Sequence, residues 1–90
     1  MPMCQINEAT IEEALLPVVG KRVKHFREQH QWTPADLASR MGLSEGTVGR
    51  LERGESKLPL GRLIHLALVF HQPLEELGVT IPALECDYIH

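Results

Sequence analysis

Between Thr33 and Gly54 the apolar positions recur at helical spacing in two short bursts. Leu37, Ala38 and Met41 fall at i, i+1 and i+4, one stripe along a short helix. Val48 and Leu51, three apart, make the inner side of a second. The punctuation agrees with the periodicity. Thr33 is a good N-cap, and Pro34 takes the first helical position, where a missing N–H costs nothing. Gly42 can take the left-handed conformation that closes the first helix, Ser44 caps the second, and Gly54 offers its terminator. The segment therefore predicts helix, tight turn, helix, with Glu45, Gly46, Thr47, Arg50 and Arg53 on the outer face of the second helix.

On the N-terminal side, Val19, Val23 and Phe26 predict a helix over about Pro17–His30 that buries these three and turns Lys21, Lys24 and Glu28 to water. Upstream, Asn7 or Thr10 can cap a short helix, Thr10 and Glu13 having capping-box spacing. Ile11, Ala14, Leu15 and Val18 share one of its faces, and Pro17 either breaks it or begins the next. Met1–Asn7 reads as a loose arm. This added segment packs on the domain's own surface or contacts a second subunit or partner. Trp32 is expected to staple the start of the second helix and face the core.

Beyond Gly54, a loop through Leu58 and Pro59 leads to a helix in which Leu60, Leu63, Ile64, Ala67 and Phe70 close the core. Pro73 opens a short last helix with Leu74 and Leu77 inward. Gly78 ends it, and VTIPALECDYIH follows as an acidic, partly apolar tail. Val79 and Ile81 alternate as in a strand until Pro82 stops it. Such a tail is expected to dock on the body or on a second subunit. The organisation read from this is all-α: an arm and extra helix over 1–16, a helix-turn-helix domain over 17–77, and a tail over 78–90.

Composition narrows the picture. Apolar residues make up 43% of the 90, which favours one globular domain over disorder. No signal peptide, bilayer-spanning run or disulfide framework is legible, and Cys4 and Cys86 are expected as reduced thiols. The net charge of −3 conceals an uneven distribution. All nine Lys and Arg lie between Lys21 and Arg62, against Glu28, Asp36, Glu45, Glu52 and Glu55, a local excess of four positive charges. A basic centre with acidic ends suits phosphate contact, because only charges within a Debye length of about 8–10 Å set the local field. Cys86 and His90 have a three-residue gap, but no second ligand pair stands at structural-zinc spacing, so no metal is expected. No phosphate loop, nucleophile elbow or paired catalytic carboxylates can be found, so no enzyme activity and no cofactor are expected.

GKRVKHFREQ, ADLASRMGLS, VGRLERG and LIHLALVFHQPLEEL, in that order and spacing, resemble the Cro/C1-type (lambda-repressor-like, XRE) helix-turn-helix family over about Gly20–Leu77. The resemblance implies a five-helix DNA-binding domain, usually dimeric, usually a transcriptional repressor, and cytoplasmic rather than membrane-bound. It implies that Glu45, Gly46, Thr47 and Arg50 face base edges in the major groove of double-stranded DNA. Arg50 is the strongest of them, since a guanidinium can bond guanine O6 and N7 together. It assigns phosphate contact to Thr33, Ser44, Arg53 and Lys57, and pairs Arg27 with Glu52 as a brace between the first helix and the recognition helix.

The chain also departs from the family's pattern. Pro34 stands where the family often has a glutamine, Glu45 where a neutral polar residue is common, and Leu58 where a proline is. Pro34 and Glu45, with the acidic ends and the negative net charge, support an alternative: a helix-turn-helix module that acts mainly through a protein partner, as an antitoxin or antirepressor does.

Overall fold

The computed structural model describes residues 7–79, which form α1 (Glu8–Gln29), α2 (Pro34–Met41), α3 (Glu45–Glu52), α4 (Leu60–Phe70) and a closing 3-10 turn, Leu74–Leu77. The described residues are helical throughout their regular structure, as expected, but they hold four α-helices rather than five. The expectations for Met1–Ile6 and for Thr80–His90, with Cys4 and Cys86, lie outside the described residues.

The fifth helix is the one missing from the count, and the extra N-terminal helix expected beside the five is not a separate one. Pro17 is inside α1, so the extra segment and the first core helix are one helix of 22 residues. Asn7 caps it, its Oδ1 accepting the Thr10 N–H at 2.9 Å. Proline deletes one bond, to the carbonyl four residues back, and here Glu13 and Pro17 are both exposed, where water can serve that carbonyl. The expected fifth helix is a single 3-10 turn held between Pro73 and a left-handed Gly78. Four residues complete no more than that. Leu77 is fully buried, whereas Leu74 is 37% exposed and not inward as expected.

The core joins Val19, Val23 and Phe26 of α1 to Leu37, Ala38 and Met41 of α2, Val48 and Leu51 of α3, Leu66 and Phe70 of α4, and Leu77. The face of α4 is rotated from the expected one: Leu66 is buried with Phe70, while Leu60 and Ile64 are 68% and 42% exposed. LIHLALVF is apolar nearly all round, so its spacing allows more than one inner stripe. Trp32 is half-buried against this core, stacked on His30 at 4.4 Å, 5.8 Å from the Phe70 ring, with the Arg40 guanidinium 4.1 Å from its centroid.

Two contacts fix α3 against α1. At Gly20 the backbones nearly touch: a Cβ there would lie 2.6 Å from the Leu51 carbonyl oxygen and 2.7 Å from that of Glu52. One turn pair further on, Arg27 Nε donates to Glu52 Oε2 at 2.6 Å and Nη2 to Oε1 at 3.3 Å. Arg27 Nη1 also donates to the Trp32 carbonyl at 2.8 Å, so one guanidinium ties α1, the loop before α2, and α3. Each side chain of the pair is only 10% exposed.

α2 begins with a capping box. The Asp36 N–H donates to Thr33 Oγ1 at 3.1 Å, and the Thr33 N–H donates to Asp36 Oδ2 at 2.9 Å. The Thr33 amide, then its hydroxyl, hold the Asp36 carboxyl below the ordinary carboxylate value, with Arg40 adding to the effect. Toward the N-terminus of α1, Leu15, Leu16 and Val19 line an apolar groove with Leu58, Leu63 and Val79. No helix among the described residues is long and apolar enough to cross a membrane.

Three outcomes follow from these contacts. Glu52→Ala strands the Arg27 charge in a nearly dry site and should cost about 3 kcal/mol in urea unfolding; a loss under about 1 kcal/mol would rank the pair with exposed ones. Gly20→Ala must push two carbonyls away, and should destabilise by about 1–3 kcal/mol despite alanine's better helix propensity. The Asp36 carboxyl titrates lower in the folded chain than in the unfolded one. Its contribution is therefore present above the ordinary value of 3.8 and lost as pH falls through the lower folded value. In melts followed by circular dichroism, the gap between wild type and Asp36→Asn should close over that acid window, and a gap that stays constant would refute the assignment.

Candidate nucleic-acid interface

α2 and α3 are joined through Gly42, Leu43 and Ser44. Gly42 has φ 69°, in the left-handed region, where glycine carries no side-chain penalty. The Leu43 N–H donates to the Ala38 carbonyl at 2.9 Å and its side chain packs on the core, which fixes the angle at which α3 departs. Ser44 then caps α3, its Oγ accepting the Thr47 N–H at 3.1 Å.

Burying Val48 and Leu51 turns the opposite side of α3 outward. Glu45, Gly46 and Arg50 are exposed there and Thr47 is half-buried. Ser44, Thr47 and Arg50, three residues apart, form a polar file along this face. The two hydroxyls are 2.8 Å apart, and Arg50 Nη2 donates to Thr47 Oγ1 at 3.4 Å. A bond that long is weak, so it points the guanidinium along the helix while leaving it free to exchange partners. Gly46 adds no bulk: a Cβ there would meet nothing within 4 Å. Glu45 sits in the first turn, where the helix dipole favours a carboxylate, and it leaves one negative charge on the outward face.

The four residues assigned to phosphate contact do not form one cluster. Ser44 is at the start of α3 and Arg53 is its C-cap, with exposed Lys57 in the loop that follows. Arg53 Nε donates to Glu55 Oε2 at 3.2 Å, both side chains being more than half exposed. Such a pair contributes little, so an anion of higher charge can displace Glu55. Thr33 differs. Both its amide and its hydroxyl are engaged with Asp36, and an ionised carboxylate stands at that end of α2. Arg40, stacked on Trp32, is a further cation that helical spacing did not single out. Only the fold brings the Trp32 ring, from the loop before α2, against Arg40 in its last turn, and no local signal announces it.

The profile of the Helix-turn-helix family matches residues 23–77, which includes α2, the turn and α3. A Pyrococcus horikoshii protein described as an HTH-type transcriptional regulatory protein is 38% identical over 55 residues, 61% of this chain. This chain covers only 18% of that relative's length. Among solved structures, the restriction-modification controller protein C.AhdI from Aeromonas hydrophila superposes with a TM-score of 0.64 at 29% identity, over 69% of this chain and 94% of its own. The iron(II) form of HppE, crystallised with substrate, superposes with a TM-score of 0.65 at 32% identity, over 69% of this chain but only 36% of its own length. With the family profile covering more than half of the residues and the same two-helix unit at its centre, the chain belongs to the Cro/C1-type helix-turn-helix family.

Proposed function

We propose that this protein is a sequence-specific transcriptional repressor of the cytoplasm that binds double-stranded DNA as a homodimer, with α3 in the major groove. Residues 17–77 carry this activity, and the segments 1–16 and 78–90 flank it. The observation that carries the reading is the exposed Arg50 on a helix whose opposite face is buried and braced through Glu52. The length of α3, eight residues, is about 12 Å, close to the width of a B-DNA major groove. Bases then lie against Glu45, Gly46, Thr47 and Arg50, between phosphates held by Ser44 at one end and by Arg53 and Lys57 at the other. Thr33 joins these contacts by exchanging its amide's bond to Asp36. Arg50 reads a guanine, Thr47 meets a thymine methyl or a phosphate, and Glu45 accepts from a cytosine amine.

A second copy is supported by the exposed apolar residues Leu60, Ile64 and Leu68 on α4, which recur every fourth residue, with Leu74 in the turn after it. Two copies present two recognition helices to half-sites about one helical turn apart. They also double a modest positive patch. No catalytic step is assigned to this chain.

The alternative, a module that works through a protein partner, is favoured by one observation. Exposed Glu45 and Glu55 place two carboxylates beside the cations of the proposed DNA face.

Fluorescence anisotropy against genomic fragments separates the two. In the repressor reading, Arg50→Ala loses about 1–3 kcal/mol of discrimination at one base position, while Lys57→Ala weakens all sequences alike and lowers the salt slope by about 1. Binding that is absent or insensitive to salt, with a stable protein co-purifying, would favour the alternative.

A further inference from the structure

Gly49 sits inside α3, a helix of only eight residues, where glycine is the poorest ordinary helix former. Backbone contact accounts for the glycines that meet α1 nearby. A Cβ at Gly20 would press on two carbonyls, and one at Gly54 would lie 2.9 Å from the Pro17 Cα. Gly49 has no such neighbour. Outside the helix's own backbone, the one atom among the described residues that a Cβ there would meet is Arg53 Nη1, at 3.3 Å.

The Arg53 guanidinium therefore folds back one turn along α3 and lies over the bare backbone at Gly49. It is held from the other side as well. Gly54, with φ 75°, turns the chain at the end of α3, and the Glu55 N–H donates to the Arg50 carbonyl at 2.9 Å. That turn brings the Glu55 carboxylate alongside Arg53, where it accepts from Nε at 3.2 Å. Arg50 also reaches back, to Thr47. Thr47 and Gly49 stand about 160° apart round the helix, so the two cations lie on either side of the ridge that carries Gly46.

We infer that Gly49 is a positioning residue for Arg53: its missing side chain is the seat that keeps the guanidinium on the flank of α3, ready to exchange Glu55 for a DNA phosphate. The inference rests on the DNA-binding reading and adds to it the position that aims one of the phosphate contacts. Arg53 has a long side chain that is more than half exposed, and a free arginine gives up much rotamer freedom when it is fixed on a phosphate. A seat made beforehand lowers that loss. Any side chain at position 49 takes the same space. What yields is the far end of a flexible side chain and not the fold, so the substitution firms up α3 while it releases the cation.

Gly49→Ala, Gly49→Leu and Arg53→Ala in the full chain test this by fluorescence anisotropy, on a DNA fragment that wild type binds and on unrelated DNA. Both Gly49 variants should melt no lower than wild type, Gly49→Ala about 4 °C higher. Both should nevertheless weaken binding to the two DNAs alike, about threefold for Gly49→Ala and about tenfold for Gly49→Leu, and Gly49→Leu should lower the salt slope by about 1, as Arg53→Ala does. In the Arg53→Ala background neither Gly49 substitution should weaken binding further, because the group it displaces is gone. Binding left unchanged by Gly49→Leu or by Arg53→Ala would overturn the inference. So would a loss that persists in full in the Arg53→Ala background, or a change of base preference, either of which sets residue 49 against the DNA itself. Wild type that binds neither DNA would end the DNA-binding reading, and the inference with it.

Discussion

The outward presentation of α3 depends on how closely it can approach α1. Gly20 allows backbone against backbone, and the Arg27–Glu52 pair locks the register from one side while Val48 and Leu51 fill the other. A buried ion pair is weak support for stability as such, because both charges give up water. Its value here is geometric. A bidentate guanidinium with a third bond to the Trp32 carbonyl tolerates little rotation of α3 about its axis. A rotation of one residue's angle, about 100°, would carry Arg50 from the outer face toward the flank. Only eight residues long, α3 has too few hydrogen bonds to persist alone, so its orientation is a property of its neighbours.

Much of the helix-turn-helix unit was legible because its signals are local. Thr33, Pro34, Gly42 and Ser44 mark boundaries within one turn of where they act, and the stripes of α2 and α3 are short and unambiguous. α1 shows the limit of that approach. A proline reads as a boundary, yet packing of Val19, Val23 and Phe26 on one side and exposure of Glu13 on the other let the helix run through it. α4 shows another, since a helix apolar nearly all round does not announce its inner face, and Leu66 displaced the expected Ile64. Gly20 was invisible for a different reason. A glycine in a helix looks like a small propensity loss until the neighbouring backbone is in place.

The candidate site was legible in part. The pattern of α3 turns Glu45, Gly46, Thr47, Arg50 and Arg53 outward, and only the family resemblance assigns four of them to bases; Glu45, Gly46 and Arg50 are exposed and Thr47 is half-buried. What the period does not carry is which polar groups are already occupied. Thr33 is spent on Asp36, Arg53 leans on Glu55, and Arg40 on Trp32, choices made among nearby partners of similar energy. Net charge carries as little about the site. A chain that is negative overall can present cations where they matter, because screening confines the field to its neighbours.

Gly46 has a consequence for how such a protein changes over time. A residue with a side chain would fit there with nothing in its way and would firm up α3 by about 1 kcal/mol, since glycine is the poorest ordinary helix former. Most positions that alter recognition trade it against folding. With α3 in the groove as proposed, a new preference could be acquired here while the scaffold gained stability, which makes this position an inexpensive starting point for divergence between copies of the gene.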